Sequence, residues 1–223
     1  MSVRIATIIG ATGLIGNHLL QILQKDDYYT TVRVVVRRPF PHTNFKTEVK
    51  LIDYTDPESF KLSIDGSHTV FCAIGTTLKK VKGDKKAYRE IDYDIAVNAA
   101  RYCKETGCHN FVLVSSVGAN ANSNNFYIKL KGEIENAIKN IGLRCVSVFR
   151  PSILLGERKE NRPAEKIGQY TMKTFSFAFL GTLSKYKQIE AEEVAASMVE
   201  IAKKEIPGFN IYEYKEMMKS IGK

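Results

Sequence analysis

The sequence predicts an α/β fold, a doubly wound parallel sheet with a small C-terminal cap, on three observations. The chain opens with an apolar run punctuated by three glycines, VRIATIIGATGLIG from Val3 to Gly16. Short β-branched runs then alternate with segments of helical period as far as Phe149, the pattern that builds a parallel sheet covered by helices on both faces. Several of the residues able to do chemistry, among them Arg37, Arg38, Ser115 and Ser116, stand at the ends of those apolar runs, where parallel strands meet their ligands.

In the opening stretch, Ile5, Ile8 and Ile9 suit a strand, whereas Leu14, Ile15, Leu19, Leu20, Ile22 and Leu23 fall at helical spacing. The glycines between them are Gly10, Gly13 and Gly16, in the pattern GxxGxxG because position 11 is Ala. Glycine lets a chain turn sharply off a strand, lets a backbone approach a pyrophosphate and lets helix pack closely on strand. The free N–H groups and the dipole of the new helix then attract phosphate. The alternative is a strand-to-helix turn with no ligand.

At 223 residues, 44% of them hydrophobic, the chain can bury a sizeable core as one domain, with residues 151–223 contributing the cap. The first apolar run is broken at Gly10 and no basic segment leads into it, so neither a signal peptide nor a membrane span is expected, and a cytoplasmic location is the default expectation. The net charge of +9 suits an acidic or phosphorylated partner. Its one dense run, LKKVKGDKKAYR from Leu78 to Arg89, reads as a solvated loop and helix start, and nucleic acid is not expected as a partner. Cys72, Cys103, Cys108 and Cys145 form no CxxC pair and are expected as reduced thiols, with no metal.

In chain order, Thr31 to Val36 is a second strand ending in Arg37 and Arg38. An acid at this position binds a free ribose 2′-OH and an arginine accommodates a 2′-phosphate, so the arginines favour NADP(H) over NAD(H). The alternative is a pair of surface arginines. Val49 to Ile52 is a third strand, and Asp53 after it is either a partner for the adenine amino group or a turn or cap residue in DYTDPES. His68 to Ile74 is a fourth strand closed by Gly75, placed for close approach to the ribose and phosphate of the cofactor. A helix from about Lys85 to Glu105 carries Ile91, Ile95, Ala99 and Tyr102 on one face. The fifth strand, Asn110 to Val114, delivers Ser115 and Ser116 at its end. After a polar loop, a helix from about Asn125 to Asn140 carries Tyr127 and Lys131, which lie on one face. An ammonium beside a phenol favours the phenolate and makes it a usable acid or base, and a serine hydroxyl can hydrogen-bond an oxygen whose charge changes.

GATGLIG, SSVGA after an apolar strand, YIKLK, and FRP at the end of the sixth strand together resemble the short-chain dehydrogenase/reductase superfamily in an atypical form. NFVLVSSVGANANSNNFYIKLKGEIE and VFRPSILLGERKENRP are similar to its Tat-interacting, NADPH-binding branch, and the resemblance runs from Val3 to Pro163. It implies a Rossmann-type fold. It also implies a pyrophosphate loop of Gly10, Thr12, Gly13, Leu14, Ile15 and Gly16, and a 2′-phosphate site of Arg37 and Arg38. Ile74 and Gly75 would lie over the adenosine ribose, and Pro151 to Ile153 would flank the nicotinamide. Ser116 would be the catalytic serine, with Ser115 as the fallback, Tyr127 the acid/base, and Lys131 the residue that holds the nicotinamide ribose. The chain departs from related epimerases where they carry an asparagine after the fourth strand: Asp92 stands there, and Asn98 lies further on.

Cys145 to Phe149 is the sixth strand, ended by Arg150 and Pro151. Arg158 and Arg162 in the charged loop beyond are candidates to clamp an anionic substrate or plain surface residues, and Pro163 and Ala164 begin a helix whose aromatics, Tyr170 to Phe179, are expected in the core. Gln188 to Lys203 is an amphipathic helix with Val194, Met198 and Ile201 inward, Phe209 to Tyr214 a last strand, and Lys215 to Lys223 a short basic tail. The expected activity is reduction of a small carbonyl, or the reverse oxidation, with NADP(H). Two alternatives are a cofactor-sensing protein that acts through a regulatory partner or a homodimer, and an epimerase or dehydratase of nucleotide sugars, which the short C-terminal region disfavours.

Overall fold

The computed structural model describes residues 3–155 and 186–223. Arg158, Arg162, the helix expected from Pro163 and the aromatics from Tyr170 to Phe179 lie outside the described residues. Within the described residues the chain runs β1 (Ile5–Ile9), α1 (Leu14–Lys25), β2 (Thr31–Val36), β3 (Thr47–Leu51), α2 (Pro57–Ile64), β4 (Thr69–Cys72), α3 (Lys85–Arg89), a π-turn (Glu90–Asp94), α4 (Ile95–Glu105), β5 (Asn110–Val114), α5 (Phe126–Ile141) and β6 (Cys145–Phe149). The short strands β7 (Leu154–Leu155) and β8 (Ile189–Glu190) come next, then α6 (Ala191–Ala202), β9 (Gly208–Tyr212) and α7 (Tyr214–Ser220).

Seven strands form one sheet in the order β3-β2-β1-β4-β5-β6-β9, and every neighbouring pair is parallel. The order reverses between β1 and β4, so connections leave to opposite sides there and a crevice opens at the carboxyl ends. The strands read as continuous apolar runs because both faces are covered. On one face α1, α6 and α7 bury Leu19, Leu23, Val194, Met198 and Met217 against Ile8, Val34 and Phe149. On the other, α2, α4 and α5 bury Phe60, Ala99, Ile134 and Ile138 against Ile9, Val70 and Phe111. All four cysteines are free and buried.

The structure differs from the sequence-based expectation in several places. β3 begins at Thr47 rather than Val49, and β4 is shorter than His68 to Ile74 because Ala73 onward leaves the sheet for the edge loop. The helix from Lys85 to Glu105 contains a π-turn that periodicity averages away. The stretch expected as a short basic tail forms most of a helix: Glu213 and Glu216 form a capping box that starts α7, which buries Met217 and Met218. Residues 191–220 are also no cap. α6 packs on the same face as α1, burying Val194, Met198 and Ile201 with Leu19 and Leu23, and β9 extends the sheet beside β6. What the structure describes of a separate C-terminal unit is the parallel pair β7-β8.

α5 positions the loop that precedes it. Asn125 caps the helix by accepting from the N–H groups of Tyr127 and Ile128, and the N–H of Asn120 donates to the carbonyl of Ile128. The loop lies so close that a Cβ on Gly132 would stand 2.2 Å from the Ala121 nitrogen and 2.4 Å from the Asn120 carbonyl carbon. Alanine ordinarily stabilises a helix interior relative to glycine. Here Gly132→Ala is expected to destabilise by about 1–3 kcal/mol, as overpacking against backbone does, seen as a lower urea midpoint; a raised midpoint would show that the loop does not dock as described.

Candidate functional site

Because the strands are parallel, the loops after β1, β2, β3, β4, β5 and β6 all emerge at one edge. That edge gathers Gly10 to Gly16, Arg37 and Arg38, Asp53, Ile74 and Gly75, Ser115 and Ser116, and Pro151.

The glycine turn is built by close approach. Gly10 takes a φ of +92°, and a Cβ there would meet the Ala73 carbonyl at 2.7 Å, so the β1 turn lies directly against the end of β4. A Cβ on Gly16 would stand 2.1 Å from the Gly10 oxygen. Gly13 is the N-cap of α1, with no side-chain acceptor on the first-turn N–H groups, and Thr12 and Gly13 are exposed. The edge therefore presents a cradle of backbone donors at a helix N-terminus, with no side chain in the way, and this fits a dinucleotide pyrophosphate. Leu14 is half-buried and Ile15 buried, so they anchor the turn to the core.

Arg37 and Arg38 are both exposed at the carboxyl end of β2. Asp53 is exposed too, and its Oδ1 accepts from the N–H of Thr55. That bond, with a smaller contribution from the Arg37 charge, holds its carboxyl below the usual carboxylate range. Its side chain thus forms a turn, while the cap of α2 is Asp56. Ile74 is half-buried against the core and Gly75 is exposed.

Two buried polar networks stand behind the edge. In the first, Lys131 on α5 donates to Asp92 Oδ2 at 3.0 Å, and Asp92 Oδ1 accepts from the N–H of Thr76 at 2.7 Å. The Tyr88 hydroxyl donates to the Thr76 carbonyl. Lys131 is 6% exposed and Asp92 2%. Burial pulls the ammonium toward neutrality, but Asp92 foremost, with Tyr127, outweighs it and holds Lys131 above the ordinary lysine range. The Lys131 nitrogen lies 5.8 Å from the centroid of the Tyr127 ring, and Tyr127 is exposed at the mouth of the edge. Cys72 at the end of β4 is pushed up to about 12 by burial, which leaves it an inert thiol.

In the second network the Ser115 hydroxyl donates to Glu135 Oε1, and Arg150 at the end of β6 grips both oxygens of that carboxylate. Ser115 is buried and its hydroxyl committed. Ser116 is half-buried, and its hydroxyl donates to the Val117 carbonyl at 3.4 Å, the outer limit of hydrogen-bond distance. Of the two, Ser116 has the hydroxyl available to a ligand. The Val117 N–H donates to the Pro151 carbonyl, tying the β5 and β6 loops together, and the Ile153 carbonyl accepts from Ile189 in β8. Sequence reasoning did not single out Glu135, although it continues the four-residue spacing of Tyr127 and Lys131 along α5.

A parallel sheet reversing its order at β1, with a glycine cradle at the switch, defines a dinucleotide-binding α/β protein. The chain belongs to the NAD(P)H-binding family, whose model matches residues 10–205. It is 34% identical over 210 residues to "Protein FMP52, mitochondrial" of Candida albicans, covering 90% of this chain and 89% of that one. It is 32% identical over 163 residues to "Protein HTATIP2" of Rattus norvegicus, covering 71% and 66%. That likeness bears out the resemblance to the Tat-interacting branch. Among solved structures, MoeE5 in complex with UDP-glucose and NAD superposes with a TM-score of 0.70 at 16% identity, over 97% of this chain and 80% of that one.

The expected cytoplasmic location is overturned. Relatives at 33–36% identity over about nine-tenths of this chain are named mitochondrial proteins. The expectation rested on the lack of a secretory or membrane-spanning segment, but a mitochondrial address is not written in such segments.

Gly16→Ala is expected to push α1 off the Gly10 carbonyl. Affinity for a nicotinamide dinucleotide should fall by roughly tenfold or more in a fluorescence titration, and wild-type affinity would show that the cradle holds no phosphate.

Proposed function

We propose that the protein is an NADP(H)-dependent oxidoreductase of the short-chain dehydrogenase type, acting in mitochondria on a small carbonyl compound or the corresponding alcohol. The observation that carries this reading is the buried, carboxylate-held Lys131 beside the exposed Tyr127 on the carboxyl-edge face of α5. When bound, the nicotinamide supplies or accepts the hydride.

The chain's own groups supply the rest. Tyr127 gives or takes the proton at its phenol oxygen, and Lys131 keeps its positive charge 5.8 Å from the centre of that ring. Lys131 has three N–H donors, and the bond to Asp92 leaves two for a ribose hydroxyl. The Ser116 hydroxyl orients the substrate oxygen. Gly10, Thr12, Gly13, Leu14, Ile15 and Gly16 hold the pyrophosphate. Arg37 and Arg38 receive a 2′-phosphate, which supports NADP(H) over NAD(H), while Asp53, Ile74, Gly75, Pro151 and Ile153 border the cofactor. The partner of the reaction is a small molecule, and nothing in the reading calls for nucleic acid.

Tyr127→Phe should abolish NADPH-dependent reduction of a panel of small aldehydes and ketones, with NADPH affinity within about twofold of wild type. Unchanged turnover would remove the assignment. Changing both Arg37 and Arg38 to Ala should weaken NADPH binding by more than about tenfold, the contribution of charge-assisted bonds to a phosphate, while NADH binding stays near its starting value. Equal losses for the two nucleotides would refute the 2′-phosphate site.

A further inference from the structure

The proposed chemistry uses Tyr127, Lys131 and Ser116, yet the most deeply buried acid at the edge is Asp92. It sits in the π-turn Glu90–Asp94, where Glu90 and Asp94 face solvent and Asp92 alone of the three acids turns inward. A π-turn inserts a residue into the helix and rotates the residues beyond it, and such turns gather at functional sites. The two oxygens of Asp92 face two donors from different elements, the Lys131 ammonium on α5 and the Thr76 N–H in the loop after β4.

Resting on the oxidoreductase reading, we propose that Asp92 is a positioning residue: a single carboxylate locks the Lys131 ammonium to the Gly75-Thr76 segment, so that the lysine and the loop after β4 present themselves to the nucleotide as one unit.

The chemistry requires a carboxylate. Two donors need two acceptors, and an asparagine offers one oxygen and turns an NH2 group on the other donor. The charge is needed as well. Lys131 faces Asp92 from the π-turn, Tyr88 from α3 and Tyr127 from its own helix, and Cys72 on β4 lies within reach of both Lys131 and Asp92. Asp92 is the one carboxylate in that set. Without it, burial acts on the ammonium with only the weaker influence of Tyr127 and Tyr88 opposing it, and the lysine sheds its proton as pH rises.

The test is Asp92→Asn, compared with wild type from about pH 6 to about pH 9 by two measurements, NADPH affinity and urea stability of the nucleotide-free protein. In the variant, NADPH affinity should fall relative to wild type as pH rises, by roughly tenfold or more. Stability should move the opposite way. The unfolded chain then binds more protons than the folded one, so the folded-to-unfolded ratio rises relative to wild type by up to about tenfold per pH unit. Affinity parallel to wild type, with or without the stability slope, overturns the positioning role, because an ion pair that only supports the fold would not reach the nucleotide. A flat stability difference overturns it equally.

If Asp92→Asn does not fold, Lys131→Met carries the test. Asp92 then keeps only the Thr76 N–H as partner in the interior, so stability should fall relative to wild type as pH rises above about 4, with NADPH affinity lost; a wild-type profile in either measurement overturns the proposal. Failure of the wild type to bind NADPH would instead remove the function on which the proposal rests.

Discussion

The close approach of two backbones at the switch point governs the rest of the site. Gly10 can lie against the Ala73 carbonyl only without a side chain and at positive φ, and Gly16 can begin α1 over Gly10 only without a Cβ. Those contacts set the angle at which α1 leaves β1, and therefore where its free N–H groups point. They also fix the end of β4, from which Thr76 reaches Asp92 and, through it, Lys131. The glycine turn and the Lys131 end of the edge are joined through a few residues with little room to move.

The two buried networks divide the labour of the edge. The Asp92 network joins β4 to α5, and the Glu135 network joins β5 to β6 through Ser115 and Arg150. Each places a carboxylate where burial would be costly without partners, and each supplies partners for both oxygens. The adjacent serines thereby acquire different work. Ser115 is part of the frame, while Ser116 is left with a hydroxyl that can turn toward a ligand.

Much of this was legible in the sequence because it arises from local pattern. The run VRIATIIG, the strand TVRVVV and the spacing of Tyr127 and Lys131 are short-range signals, and the structure places them as read. The illegible part depends on contacts between distant segments. The π-turn that swings Asp92 inward leaves no mark on a helical period, and Glu135 looks like any helix glutamate until Arg150 and Ser115 meet it. The role of residues 191–220 was misassigned because the apolar stripe of α6 says that the helix is covered, and not by what. Location failed for a different reason, since the absence of a secretory or spanning segment carries no information about organelle import.

The seventh strand has a consequence for how the molecule is made. β9 covers the outer edge of β6, yet it is separated from it by 58 residues of sequence, Arg150 to Pro207. During synthesis β1 to β6 can assemble with their helices while β6 still shows a row of unpaired N–H and C=O groups, a template for pairing with another chain. The protected form exists only after residues 208–212 have been added, so the nascent chain passes through a stage in which its safest neighbour is a chaperone.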